Sequence, residues 1–153
     1  MSAKFHYLIP HLLVTSYGKG VSMDTRAILI VEKEYIIAAD IDSCLKRMGF
    51  QVTETVSTIE EAFETAKRVC PQLAVFNLNV AGKLSGIQAV KIIHELFDRI
   101  PILFLDCDPK TRRTIDQSNF NGPYGYLQMP FLRDILEAEV EKLLKLHKSY
   151  DTI

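Results

Sequence analysis

Short apolar runs alternate along the chain with longer segments whose apolar residues recur at helical spacing. The first run, Ala27–Val31, is continuously apolar, which is typical of a strand whose two faces are both buried. Gly49 follows the next segment, about residues 35–48, and glycine is common just after the end of a helix. Four of the apolar residues of that segment would lie on one face of a helix; they are Ile37, Ile41, Leu45 and Met48.

The same alternation continues through the middle of the chain. Ser57 and Glu60 stand at capping-box spacing, as do Thr58 and Glu61, and they predict the start of a second helix that Pro71 closes. The inward positions of this helix are Ala62, Ala66 and Val69. The further predicted strands are Gln51–Thr55, Leu73–Asn77, Ile102–Leu105 and Tyr124–Leu127.

Three more helices are predicted between and after these strands. The helix after the third strand carries on one face Val90, Ile93 and Leu96 or Phe97. The segment Lys110–Asn119 is polar and only weakly periodic, which predicts a short exposed helix. Pro130 precedes a last helix, whose buried side is predicted to comprise Leu132, Leu136, Val140, Leu143 and Leu144.

Five strands alternating with five helices predict an α/β fold with a parallel sheet between two helical layers. The flavodoxin-like strand order 2-1-3-4-5 fits this alternation best. We assign residues 26–148 to this domain, residues 1–25 to an N-terminal extension and residues 149–153 to a tail. Ligands of such sheets bind at the carboxyl ends of the strands, so functional residues are expected after Val31, Leu105 and Leu127 and at Asn77.

Composition narrows the possible functions. Of the 153 residues, 48% are apolar, and 18 basic against 19 acidic residues give a net charge of −1. A nearly balanced charge argues against binding to nucleic acid or to an anionic membrane surface, and no apolar run approaches the ~20 residues that span a bilayer. Cys44, Cys70 and Cys107 have no CxxC spacing, so we expect reduced thiols in a cytoplasmic protein. We expect each to be a small buried side chain, and only Cys107, at a strand end, is a candidate for reactivity.

Common ligand-binding motifs are absent from the sequence. The four histidines have neither HxxxH nor HExxH spacing, so metal binding is not expected. The run Gly82–Gly86 lacks the order of a phosphate-binding loop. No GxGxxG follows the first strand, which weakens any dinucleotide-binding interpretation.

At four predicted strand ends the sequence resembles the receiver domain of two-component response regulators. The segments that carry this resemblance are Ile28–Glu34, Pro71–Asn79, Pro101–Asp106 and Gly122–Phe131. They stand in the family's order and at its spacing, and the resemblance covers about residues 26–146. It implies a signalling domain rather than an enzyme.

The resemblance also implies which residues form the site. In the family, two acids after the first strand hold Mg²⁺, and an aspartate ending the third strand takes a phosphoryl group from a histidine kinase. A hydroxyl residue ends the fourth strand, a lysine ends the fifth, and an aromatic residue on the fifth strand moves with the hydroxyl residue. The corresponding residues here are Glu32 with Lys33, Asn77, Asp106, Met129 and Tyr126.

These replacements predict a site that has lost its chemistry. A carboxylate oxygen can attack phosphorus, whereas the Asn77 amide has no anionic oxygen. Lys33 places an ammonium group where the second acid should stand, so Mg²⁺ binding is expected to be lost or weak, and no other cofactor is expected. Met129 removes the cation that would pair with phosphoryl oxygens. We expect Lys33 either to pair with Glu32 or Asp106 in place of the metal or to point into solvent.

Asp106 allows three interpretations. It is a fixed anion that hydrogen-bonds Tyr126 and sets one state of the switch, a displaced phosphoryl acceptor, or a solvated loop acid beside Asp108. Near it, Lys110, Arg112 and Arg113 form a small basic cluster. This cluster is either a solvated face or part of a docking surface for an acidic partner.

The sequence therefore predicts a stand-alone, receiver-like domain of phosphorelay signal transduction that is not phosphorylated and acts by protein–protein interaction. The expected partner is a histidine kinase or another regulator, and a homodimer through the surface of the fourth helix, fifth strand and fifth helix is a further expectation. No output domain is expected after the last helix. The alternatives are phosphorylation at Asp106 and a flavodoxin-like domain that binds a small molecule beside Met129. Pro130 leaves the isomer of the preceding peptide bond open.

Overall fold

Five parallel strands form the centre of the protein in a computed structural model that describes residues 27–81, 88, 91, 100–120 and 122–151. The order of the strands in the sheet is β2-β1-β3-β4-β5, and every neighbouring pair is parallel. The strands are β1 (Ala27–Val31), β2 (Gln51–Val56), β3 (Leu73–Asn77), β4 (Ile102–Leu105) and β5 (Tyr124–Leu127). The predicted fold class and strand order are confirmed.

The described helices flank this sheet. They are α1 (Tyr35–Arg47), α2 (Ile59–Val69), α3 (Pro109–Gln117) and α4 (Arg133–Asp151), with a short 3₁₀ helix at Leu78–Ala81. The predicted helix around Val90 and Ile93 and the extension at residues 1–25 lie outside the described residues. None of the described helices is both long and apolar enough to cross a membrane.

The sheet is covered on both faces, which explains why β1, β3 and β4 are apolar without alternation. Every residue of these three strands is buried. On one face, α2 and α3 cover the sheet through a core that includes Leu29, Phe76, Phe104, Ala62 and Ile115. On the other face, α1 and α4 pack through a core that includes Ile30, Leu103, Ile41, Leu45, Leu136 and Val140.

The start of α2 shows which of the two predicted capping pairs is used. The Thr58 hydroxyl accepts a hydrogen bond from the Glu61 N–H at 3.2 Å, so Thr58 is the N-cap. The Glu61 carboxylate accepts from the Ser57 N–H at 3.1 Å. The structure therefore selects the Thr58–Glu61 pair. The helix ends at Val69 and is followed by the C-cap residue Cys70, which has a φ of 49°.

Leu132 is the clearest error in the predicted core. It is 69% exposed, whereas Leu136, Val140 and Leu143 are buried as predicted. Because α4 begins only at Arg133, Leu132 precedes the helix and its side chain does not join the buried stripe. The peptide bond between Met129 and Pro130, which immediately precedes this segment, is cis.

Candidate functional site

The carboxyl ends of β1 and β3 bring two buried polar side chains into contact. Glu32 follows β1 and Asn77 ends β3, and they are only 2% and 7% exposed. Their strands are paired in register, with Val31 opposite Phe76. The Asn77 Nδ2 donates a hydrogen bond of 2.6 Å to Glu32 Oε2. The contact joins two of the predicted site residues directly.

The remaining polar atoms of this pair are also bonded. Glu32 Oε1 accepts from the backbone N–H of Glu34 at 3.0 Å. Asn77 Oδ1 accepts from the backbone N–H of Asn79 at 2.9 Å. Burial of polar groups is tolerated when they are hydrogen-bonded. The Asn77 amide and one backbone N–H therefore satisfy the Glu32 carboxylate without a cation.

Lys33 does not take part in this arrangement. Its side chain is exposed, and the salt bridges found within the described ranges involve other lysines and arginines. The predicted pairing of Lys33 with Glu32 or Asp106 is therefore wrong. Since the Glu32 carboxylate is already engaged by Asn77 and Glu34, the alternative of a solvent-facing lysine holds.

The residues at this edge do not fit a magnesium ion. Mg²⁺ prefers an octahedral set of oxygen ligands that includes one or two carboxylates. Glu32 is the one buried acid in the described part of the chain, and the neighbouring Asn77 presents its N–H rather than its oxygen to that acid. No group of three or more histidine, cysteine, aspartate or glutamate side chains within the described residues could hold a metal ion.

Asp106 follows β4 in an unusual backbone conformation. Its φ is 49°, in the left-handed region that aspartate and asparagine adopt more readily than most residues. Its N–H donates to the Leu127 carbonyl at 2.9 Å. Its exposed carboxylate accepts from Gln128 Nε2 at 3.0 Å. The predicted direct hydrogen bond between Asp106 and Tyr126 is not formed, because the carboxylate contacts Gln128 and the Tyr126 hydroxyl contacts Asp116.

Tyr126 instead faces helix α3. Its hydroxyl lies 2.9 Å from Asp116 Oδ1, and its ring is stacked on Phe104 with the ring centroids 5.9 Å apart. Burial of the phenol, together with the Asp116 carboxylate, raises the pKa of Tyr126 well above its usual range. The hydroxyl therefore stays protonated and donates to Asp116. Tyr124 donates to the same carboxylate oxygen at 3.0 Å.

Arg112 also packs against the Tyr126 ring. Its guanidinium carbon lies 4.7 Å from the ring centroid, within the range of a cation–π interaction. Its Nε donates to the Cys107 carbonyl at 3.2 Å, and its Nη2 donates to Gln128 Oε1 at 3.1 Å. Arg112 is thus engaged internally, and only Lys110 and Arg113 of the predicted basic cluster are exposed.

The start of α3 is fixed by its own capping interactions. Asp108 accepts a hydrogen bond from the Thr111 N–H at 2.9 Å, and proline occupies the first helical position. Hydrogen bonds from Thr111 hold the pKa of Asp108 below its usual range. This cap sets where α3 begins and so places Arg112 and Asp116 on the same side, facing Tyr126.

The remaining predicted residues are less involved. Met129 is half-buried next to Pro130. Cys107 is buried as expected, and burial raises the pKa of its thiol to about 12, which argues against the candidate reactivity. Gln128 and Asp116, which organise the Arg112–Tyr126 contact, were not predicted from the sequence.

Comparison with known proteins gives the family. The sequence matches the response regulator receiver domain over residues 28–141, and the chain belongs to this family. It is 30% identical over 141 residues to the phyllosphere-induced regulator PhyR of Methylorubrum extorquens. This alignment covers 90% of the present chain and 51% of PhyR. The chain thus spans about half the length of this curated relative.

Solved structures agree with the family. The structure of the PhyR stress response regulator has a TM-score of 0.62 at 31% identity, covering 79% of this chain and 45% of that one. The receiver domain of the sensor histidine kinase PA1611 from Pseudomonas aeruginosa has a TM-score of 0.64 at 25% identity, covering 78% of this chain and 98% of that one. That structure holds a magnesium ion in its active-site cleft.

Proposed function

We propose that this receiver domain acts by binding a protein partner and does not accept a phosphoryl group from a histidine kinase. The observation that carries the proposal is the 2.6 Å hydrogen bond from Asn77 Nδ2 to Glu32. An amide has no anionic oxygen with which to form an acyl phosphate. The Asn77 oxygen is in addition engaged by the Asn79 N–H.

The surroundings of Asn77 support the same proposal. A phosphoryl group needs positive charge from a metal or a basic side chain to bind beside acids. Lys33 is exposed and Met129 is neutral, while the Glu32 carboxylate is already engaged by the Glu34 N–H and by Asn77. We therefore expect Mg²⁺ to bind weakly or not at all, and an NMR titration should show no saturable shift at Glu32.

The decisive experiment uses a small phosphodonor, acetyl phosphate with excess Mg²⁺, and reads the intact mass of the protein. We expect no added phosphoryl mass on the wild-type chain under conditions that modify a conventional receiver domain. A stable adduct would overturn the proposal. If such an adduct disappeared in Asp106→Asn but persisted in Asn77→Ala, it would assign the acceptor role to Asp106.

The same preparation tests for a bound small molecule. A groove of about 510 Å³ is lined by residues that include Phe50, Gln72 and Leu144. Gln72 precedes β3, so this groove lies at the opposite end of that strand from Asn77. Native mass spectrometry of the purified protein should show the mass of the polypeptide alone. A retained nucleotide or flavin would instead favour a ligand-binding role.

We propose that the partner is a protein of a two-component network in the cytoplasm, either a histidine kinase or another regulator. The exposed cations Lys110 and Arg113 of α3 favour an acidic partner surface. A homodimer through α3, β5 and α4 is the alternative partner. Sedimentation velocity of the wild type and of the double variant Lys110→Glu, Arg113→Glu tests for this homodimer. If the dimer forms on this surface, its dissociation constant should differ between the two proteins.

A further inference from the structure

A continuous series of polar contacts links the end of β4 to the aromatic residue of β5. Gln128 Nε2 donates to Asp106 Oδ1 at 3.0 Å, and Gln128 Oε1 accepts from Arg112 Nη2 at 3.1 Å. The Arg112 guanidinium in turn lies 4.7 Å from the centroid of the Tyr126 ring. We call these four residues the Gln128 bridge.

The chemistry of the two ends fixes the orientation of the Gln128 amide. A carboxylate offers only acceptors, and a guanidinium offers only donors. A primary amide carries one group of each kind, so Gln128 can satisfy Asp106 and Arg112 at once in a single orientation. Rotating the amide by half a turn would set oxygen against oxygen and nitrogen against nitrogen.

Arg112 and Tyr126 are each held by a second set of contacts. The Arg112 Nε–H donates to the Cys107 carbonyl at 3.2 Å, which anchors the guanidinium to the loop before α3. The Tyr126 ring also stacks on Phe104. The Tyr126 hydroxyl donates to Asp116 of α3 at 2.9 Å. The ring is therefore held by Arg112 and Phe104 and, at its hydroxyl, by Asp116.

We propose that Gln128 is a positioning residue that couples Asp106 to Tyr126 and holds the surface of α3 and β5 in one arrangement without a phosphoryl group. This inference rests on the proposed binding role, since it describes how the interaction surface is kept constant. Asp106 supplies a fixed acceptor oxygen at the end of β4. Gln128 transmits that constraint to Arg112, and Arg112 keeps Tyr126 against Asp116.

The test compares substitutions that remove the bridge with substitutions that spare it. Gln128→Met keeps a side chain of similar length but has neither amide group. Asp106→Gly removes the carboxylate while tolerating the left-handed backbone, and Asp106→Asn keeps both an acceptor oxygen and that backbone preference. The matched control is Gln117→Met, at an exposed glutamine that lies on α3 and outside the Gln128 bridge.

The readout is the side-chain Nε–H signal of Arg112 in ¹H–¹⁵N NMR spectra, because the Tyr126 ring current displaces it and the bond to Cys107 protects it. In the wild type and in the two sparing variants, we expect this proton to exchange at least about ten times more slowly than that of exposed Arg113. In Gln128→Met and Asp106→Gly, the shift should move toward that of Arg113 and the protection should be lost.

Two results would overturn the coupling. One is an Arg112 signal that is unchanged in Gln128→Met. The other is an Arg112 signal that changes in Gln128→Met but not in Asp106→Gly. That result would show that Gln128 acts on Arg112 without any contribution from Asp106. If Gln128→Met failed to fold, the comparison of Asp106→Gly with Asp106→Asn would decide. The acetyl phosphate experiment is independent of this readout, so failure of the bridge and failure of the binding role are distinguishable.

Discussion

The side chain of Asn77 donates its amide hydrogen to the carboxylate of Glu32 across 2.6 Å, and both residues are buried. Replacing Asn77 with aspartate would set two carboxylates against each other, and like charges at this distance oppose ionisation. We expect Asn77→Asp to lower the free energy of unfolding by about 1–3 kcal/mol in EDTA. Chemical denaturation at pH 7 measures this loss.

The same variant should gain a response to divalent cations that the wild type lacks. Excess Mg²⁺ should restore part of the lost stability, because a cation between two carboxylates relieves their repulsion. Asn79→Asp, two residues further along and exposed, is the matched control and should show neither effect. Equal stability of Asn77→Asp and wild type in EDTA would contradict the role assigned to this hydrogen bond.

Placing a threonine at position 106 should destabilise the protein. Asp106 has a φ of 49°, and a β-branched residue in the left-handed region is strained. We expect Asp106→Thr to cost about 1–3 kcal/mol in urea denaturation, whereas Asp106→Asn should stay close to wild type. A threonine variant as stable as the asparagine variant would show that the backbone at this position relaxes freely.

Stability at high pH should report on the phenol of Tyr126. Burial raises its pKa in the folded state above the ordinary value of 10.0. The native state therefore holds this proton more tightly than the unfolded chain, so the stabilisation is complete below about pH 10 and is lost as the pH rises toward the folded pKa. The free energy of unfolding should fall above pH 10, and less steeply in Tyr126→Phe. Tyr35→Phe, at an 84% exposed side chain, should leave the slope unchanged.

The cysteines should differ in their reaction with iodoacetamide. Burial raises the pKa of Cys107 to about 12, so roughly one molecule in ten thousand carries the thiolate at pH 8. Cys70 is partly exposed whereas Cys44 and Cys107 are buried, and we expect Cys70 to be labelled first. Peptide mass spectrometry locates the label, with urea-unfolded protein as the control in which all three react. Early labelling of Cys107 would show that the loop before α3 opens.

Much of the fold was predictable because its signals are local. Continuous apolar runs identified the buried strands, and glycine, proline and capping residues such as Gly49, Pro71 and Thr58 marked the ends of helices. The strand order then placed Glu32 and Asn77 next to each other at the carboxyl ends of two neighbouring strands. Their proximity followed from topology, and the structure added that the amide bonds to the carboxylate directly.

Side-chain directions at the strand ends were not predictable in the same way. Lys33 points to solvent although Glu32 beside it is buried, and the sequence alone left both orientations open for it. The Gln128 bridge depends on a left-handed backbone at Asp106 and on the start of α3 at Pro109. Neither feature has a periodic signature, so Gln128 and Asp116 gave no signal in the sequence. Leu132 was misplaced for a related reason, since the first residue of α4 lies one position later.

The left-handed conformation of Asp106 also bears on how this domain can evolve. Under the proposed function, a phosphoryl-accepting site would need an aspartate at position 77 and, for example, a threonine at position 106, together with changes at Lys33 and Met129. Each of the first two steps, taken singly, is expected to make the protein less stable. Selection for a folded protein would therefore disfavour both single substitutions, so a phosphoryl-accepting site would be reached from the present sequence only through less stable variants.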